Sequence, residues 1–158
     1  MIKTSQVTGR REVRYRDLAE FQDEAERLAA TDVRTLGNWS YGQILKHLTA
    51  AMNGAFDGYQ FQAPWLVRKL VAPLAKNWIL TKGMSPGFKL GANGKSLIPD
   101  PVETEVALAE LQKALARFQK ETPSHPHPFF GMMASQEWVS LTLRHAEMHM
   151  SFVIPVEE

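Results

Sequence analysis

Apolar residues recur at steps of three and four in four stretches of the chain, the spacing that gathers them on one face of a helix. The first stretch runs from about Arg14 to Ala30, with Leu18, Phe21, Ala25 and Leu28 on one face and Asp23, Glu24 and Glu26 off it. Asp32 and Gly37 break it. The second begins at Ser40, where Ser40-Tyr41-Gly42-Gln43 fits a capping box. Its stripe is Ile44, Leu48, Ala51, Ala55 and Tyr59, and His47 lies on it. The third opens with Asp100-Pro101-Val102-Glu103, an acceptor at the N-cap, Pro at the first helical position and Glu at the third. Leu108, Leu111, Leu115 and Phe118 form its expected buried face, and Pro123 with Pro126 and Pro128 closes it. The fourth runs from near Ser135 to about Ile154, where Pro155 stops it. Its stripe reads Trp138, Leu141, His145, Met148 with His149, and Phe152.

About forty residues join the second and third helices. Trp65 to Leu80 reads as a fifth helical piece that Pro73 would kink. Ser85-Pro86-Gly87 and Gly91-Ala92-Asn93-Gly94 are turn chemistry, and no alternating run argues for a strand. Neither half offers a complete core, so residues 1–158 read as one all-α domain. The expected fold is a four-helix bundle with a long crossover containing an extra helical segment, a connection that lets the second and third helices run in the same direction.

Composition narrows the function. The absence of Cys excludes a disulfide scaffold, Cys-ligated metal and a protein thiol nucleophile. A hydrophobic content of 44% excludes wholesale disorder, and a net charge of +1 argues against nucleic acid as a partner. The first residues carry no signal-peptide apolar stretch, and the Trp65–Leu80 stretch is too short and too charged for stable membrane insertion. The expectation is a cytoplasmic protein. Charge is uneven, however: residues 58–99 hold six basic side chains (Arg68, Lys69, Lys76, Lys82, Lys89 and Lys95) and no acidic one. That segment is either a solvated surface or one that attracts an anionic ligand or membrane. Trp65 and Trp78 beside these cations suit a membrane-interface helix, but suit a helix packed over the bundle or a homodimer surface better.

The histidines carry the candidate chemistry. His145 and His149 are four residues apart, about 40° around a helix, so both rings can reach one ion. His47 offers a third nitrogen from another inward face. Three neutral imidazoles and a water describe an open metal site, and bundle cores build such sites from facing helices. The alternative is three core imidazoles satisfied by hydrogen bonds. Glu147 lies about 200° from His145, which places it away from the ion and out of a zincin arrangement. Repeated Glu-x-x-His pairs, a nucleophile elbow and a phosphate loop are all absent from the sequence. His127 in His125-Pro126-His127-Pro128 belongs either to a stiff turn or to the mouth of a substrate pocket. Trp39 is read as a hydrophobic staple before the second helix, with a pocket wall as the alternative.

Asn38-Trp39-Ser40-x-x-Gln43-Ile44-Leu45-x-His47-Leu48 resembles the first metal-ligand motif of the DinB-like (YfiT-like) superfamily. His127-Pro128-Phe129-Phe130-Gly131, then Trp138, then His145-x-x-x-His149 resembles the closing motif of its uncharacterised branch. The resemblance covers nearly the whole chain. It implies an up-down-down-up four-helix bundle holding a divalent metal, usually zinc or nickel, on His47, His145 and His149. Characterised relatives include thiol-cofactor S-transferases and a thiol-dependent isomerase. It therefore implies a low-molecular-weight thiol as a possible cofactor and a small molecule as substrate. One departure stands out: the branch often carries His before the last ligand, where this chain has Met148. The competing expectation is a non-catalytic helical binding module with a structural or vestigial metal site.

Overall fold

The computed structural model describes residues 2–87 and 92–156; the side chains of Ala92, Asn93 and Lys95 also lie outside the description. Lys89 and Gly91, named above in the cationic segment and its turn, fall outside it. The fold is all-α apart from a two-stranded sheet among the described residues. The elements are α1 (Leu18–Ala29), β1 (Val33–Thr35), α2 (Tyr41–Asp57), α3 (Ala72–Lys82), α4 (Thr104–Lys120), α5 (Ser135–Met150) and β2 (Val153–Pro155).

Local signals set several boundaries. The Asp17 carboxylate accepts the Glu20 N–H and starts α1, so the helix begins at Leu18 and not at Arg14. The preceding backbone is engaged elsewhere: Tyr15 N–H donates to Glu147 (2.8 Å), and Tyr15 C=O accepts from Arg144 (3.0 Å). Phe21, Ala25 and Leu28 are fully buried, as their spacing requires. The Ser40–Gln43 capping box forms in both directions and opens α2.

Two further expectations need correction. Asp100 does not cap α4, which begins at Thr104 after Glu103. The chain ahead of it is held against α2 instead: the Gln43 amide donates to Pro99 C=O (3.0 Å). A Cβ on Gly42 would stand 2.3 Å from the Val102 carbonyl oxygen, so only glycine permits the approach. The buried face of α4 is then Ala107, Leu111, Ala114 and Leu115, with Leu108 and Phe118 only partly covered. The second correction concerns the last helix, which ends at Met150 and not at Ile154. Val153–Pro155 pairs antiparallel with Val33–Thr35, a use of β-branched residues that a three-residue run does not advertise. Arg11 stabilises the exit by donating to the carbonyls of Met150 (3.1 Å) and Val153 (2.7 Å).

Helices α2 and α4 run in the same direction. Their starts meet at Gly42 and Val102, and near their ends Arg117 of α4 forks onto Asp57 (2.7 and 2.8 Å) and reaches Asn53 (3.0 Å) of α2. Helix α5 runs against α2: Trp138, near its start, packs with Ala55 and Phe56 at the end of α2, while its later turns meet the second turn of α2. The long crossover between α2 and α4 contains the extra helical segment. Helical structure begins at Trp65, passes through a π turn at Val67–Val71 and continues as α3, with Pro73 in its first turn. The wide turn lies immediately ahead of the residue that lacks an N–H. None of the helices among the described residues is long and apolar enough to cross a membrane.

Candidate metal centre

His47 comes from the second turn of α2, and His145 and His149 from successive turns of α5. Their ligand atoms all lie within 4.8 Å of one another. His145 Nε2 is 3.2 Å from His47 Nε2 and 3.1 Å from His149 Nε2. On the other side of its ring, His47 Nδ1 contacts the Leu97 carbonyl at 2.6 Å. Only a protonated Nδ1 can make that bond, so His47 Nε2 carries a lone pair turned toward the other two rings. A proton on His145 Nε2 can serve only one of its two neighbours, so hydrogen bonding alone leaves one close contact unsatisfied. A cation between the three nitrogens removes the conflict. Metal–nitrogen bonds of about 2.0–2.1 Å in a tetrahedral site put donors about 3.3 Å apart, close to the two separations from His145. The three residues therefore fit a metal ion.

The electrostatics agree. Burial holds His47 below the usual imidazole pKa. Burial, reinforced by the neighbouring histidines, holds His145 and His149 well below it. All three present neutral rings, the form that ligates. Glu147 points away: it accepts from Tyr15 N–H and pairs with Arg144 (2.7 Å) and Arg14 (3.3 Å) on the other side of α5.

The family follows from a comparison with known sequences. A family model described as a protein of unknown function (DUF1569) matches residues 7–156. The chain belongs to that family. No curated protein and no solved structure matches it.

In this member of the family the three histidines open onto a cavity of about 610 Å³. Trp39 lines it, stacked on His149 at 5.6 Å and tilted against His47 at 4.8 Å. His127 lines the same cavity. Its backbone closes a tight hairpin with Gly131 (2.8 and 3.0 Å), and Gly131 takes a left-handed φ of 70°. His127 Nδ1 accepts the N–H groups of Phe129 (3.2 Å) and Phe130 (3.3 Å), leaving the proton on Nε2. The ring stacks on Phe130 at 4.6 Å, and burial pushes its pKa down to about 4. The stiff turn and the pocket position thus describe the same residue.

Sequence reasoning missed one group, misplaced Tyr59 on the stripe of α2, which ends at Asp57, and gave Met148 no place in the pocket. The Leu97 carbonyl orients His47, but a backbone atom fifty positions away leaves no side-chain signal. Tyr59 folds back over Gly54, where a Cβ would stand 2.3 Å from its ring, and donates to Ala51 C=O (2.5 Å). Met148, noted above as a departure, also lines the cavity.

Proposed function

We propose that this chain is a divalent-metal-dependent enzyme in which His47, His145 and His149 hold zinc or nickel. The supporting observation is the convergence of three Nε2 atoms, one of them fixed as a lone pair by Leu97. A bound divalent ion would lower the pKa of a thiol or water in its open position and polarise a carbonyl. Trp39 packs against two of the imidazoles and restricts their rotation. Neutral His127 offers an Nε2–H to a substrate in the cavity. The reaction class that agrees with these parts and with the DinB-like resemblance is thiol S-transfer, with metal-assisted hydrolysis as the nearest neighbour. The test is metal content by mass spectrometry on untagged protein. About one divalent ion per chain is expected in the wild type and close to none in His145→Ala. Equal loading of both, or none in either after reconstitution, rejects the proposal.

A second reading, a non-catalytic binding module, draws on the helix of the crossover. Trp65, Leu66, Leu70, Leu74 and Trp78 are exposed there, Leu74 by 79%. Co-sedimentation with anionic vesicles that persists after metal removal would favour it.

A further inference from the structure

We infer that the molecule admitted to the metal centre is uncharged and largely apolar, with a single metal-seeking donor at one end. The inference rests on the metal reading above and concerns what shares the site with the ion. At about 610 Å³ the cavity far exceeds the room needed by an ion and one water, and falls in the usual range for small-molecule pockets. Among the described residues that line it, none is Asp, Glu, Lys or Arg. The walls are instead aromatic and aliphatic. Phe61, Phe129, Phe130 and Trp138 form one side, and Val67, Val71, Ala75 and Ile79 of the crossover helix form another.

Several polar groups along the wall are already used. The Tyr59 hydroxyl donates to Ala51 C=O. The Asn38 amide is bound at both ends by the backbone of Ile2 (2.8 and 2.9 Å). His127 Nδ1 accepts two N–H groups. What remains for a ligand is the three converging Nε2 atoms, through their ion, the His127 Nε2–H and the neutral hydroxyls of Thr4, Ser85 and Thr142. A carboxylate or ammonium farther along the cavity would be desolvated with no charged partner.

The cationic segment does not supply one. Lys69 and Lys82 are exposed, Lys76 pairs with Glu137 at 2.6 Å, and Arg68 is partly buried with an Nε that has no hydrogen-bond partner among the described residues. None of the four lines the cavity. The positive charge of residues 58–99 therefore does not select the bound molecule at these positions. Selection falls to apolar area, which favours longer hydrocarbon tails by about threefold to fourfold per buried methylene.

The experiment uses Co(II)-loaded full-length protein and follows the cobalt absorption spectrum while thiols are titrated. Ethanethiol, propanethiol, butanethiol and hexanethiol give a length series. Mercaptopropionate and cysteamine give an anion and a cation of similar size to propanethiol. The expected result is affinity that climbs with chain length and a loss of about tenfold or more for both charged thiols. Ala75→Phe narrows the cavity from the crossover side, and should weaken hexanethiol while sparing ethanethiol. A flat length series, or a charged thiol that binds as well as propanethiol, overturns the inference and leaves the metal centre standing. Failure of the wild type to bind Co(II) overturns the metal reading and this inference with it. The wild-type series decides the matter even where Ala75→Phe does not fold.

Discussion

Helix α5 and the crossover helix from Trp65 to Lys82 border the same cavity and are held in opposite ways. Helix α5 is gripped on two faces. One carries His145 and His149 to the cavity; the other buries Arg144 (7% exposed) and Glu147 (6% exposed) against the chain before α1. The crossover helix is apolar on both faces, and one of them borders the cavity. Val67, Val71, Ala75 and Ile79 line the cavity, while Leu66, Leu70, Leu74 and Trp78 face outward and are exposed. It is held by few polar links, among them Lys76 to Glu137 at 2.6 Å and Ala63 N–H to Pro128 C=O at 3.0 Å. A site able to hold a metal needs fixed donors, and the helix with two anchored faces supplies two of the three histidines. The crossover wall of the cavity is the less anchored one.

The largest expected effect comes from breaking the hidden anchor of α5. Glu147→Ala leaves the Arg144 guanidinium buried without its carboxylate and frees Tyr15 N–H from its acceptor. Removing one partner of a buried pair typically costs about 3–5 kcal/mol. Urea unfolding of the metal-free protein should report a loss of that order. The double variant Arg144→Met with Glu147→Leu should recover much of it, because it removes both charges together. A single-variant loss below about 1 kcal/mol would mean that α5 is not anchored through this pair.

This anchor also marks how far the sequence could be read. Steps of three and four placed Phe21, Ala25 and Leu28 in the core and His47, His145 and His149 on facing stripes, because helical periodicity is local. The Ser40 box formed for the same reason. The role of Arg144 was not legible: its partners are one turn away and 129 residues away, and an Arg among apolar residues reads as surface. Asp100-Pro101 carries a sound helix-start signal, yet the approach of Val102 to Gly42 keeps that segment extended. Tertiary contact overrode the local preference there, as it did where Val153–Pro155 found a partner strand at Val33–Thr35.

Next in size is a pH effect at the hairpin between the two helices. Burial pushes His127 down to about 4 from an ordinary value of 6.5. The unfolded chain therefore binds a proton first as pH falls, while the folded ring stays neutral. Stability from this group is fully present above about 6.5 and is lost as pH falls toward 4. The shift corresponds to about 3 kcal/mol at most. Unfolding free energies of metal-free protein measured between pH 7 and pH 4 should fall, and His127→Phe should remove that share of the slope. The depressed imidazoles of His47, His145 and His149 act in the same direction and account for the rest. An unchanged slope in His127→Phe would mean that this ring is hydrated in solution.

The smallest stability effect belongs to the bare face of the crossover helix. Leu74 is 79% exposed and Trp78 is 64% exposed, so little apolar burial is lost when either is replaced. Lys and Leu have similar helix propensities, and Leu74→Lys should change unfolding free energy by no more than about 0.5 kcal/mol, with metal content unchanged. If the face seats on an anionic membrane, the same substitution should cut vesicle co-sedimentation by about tenfold, because a buried Leu contributes roughly 1.5–3 kcal/mol. If instead Leu74→Lys costs more than about 1 kcal/mol, the face is covered in solution. Sedimentation velocity should then find a dimer in the wild type that the variant has lost. Each outcome assigns the apolar surface a different occupant, and none depends on whether His47, His145 and His149 hold their ion.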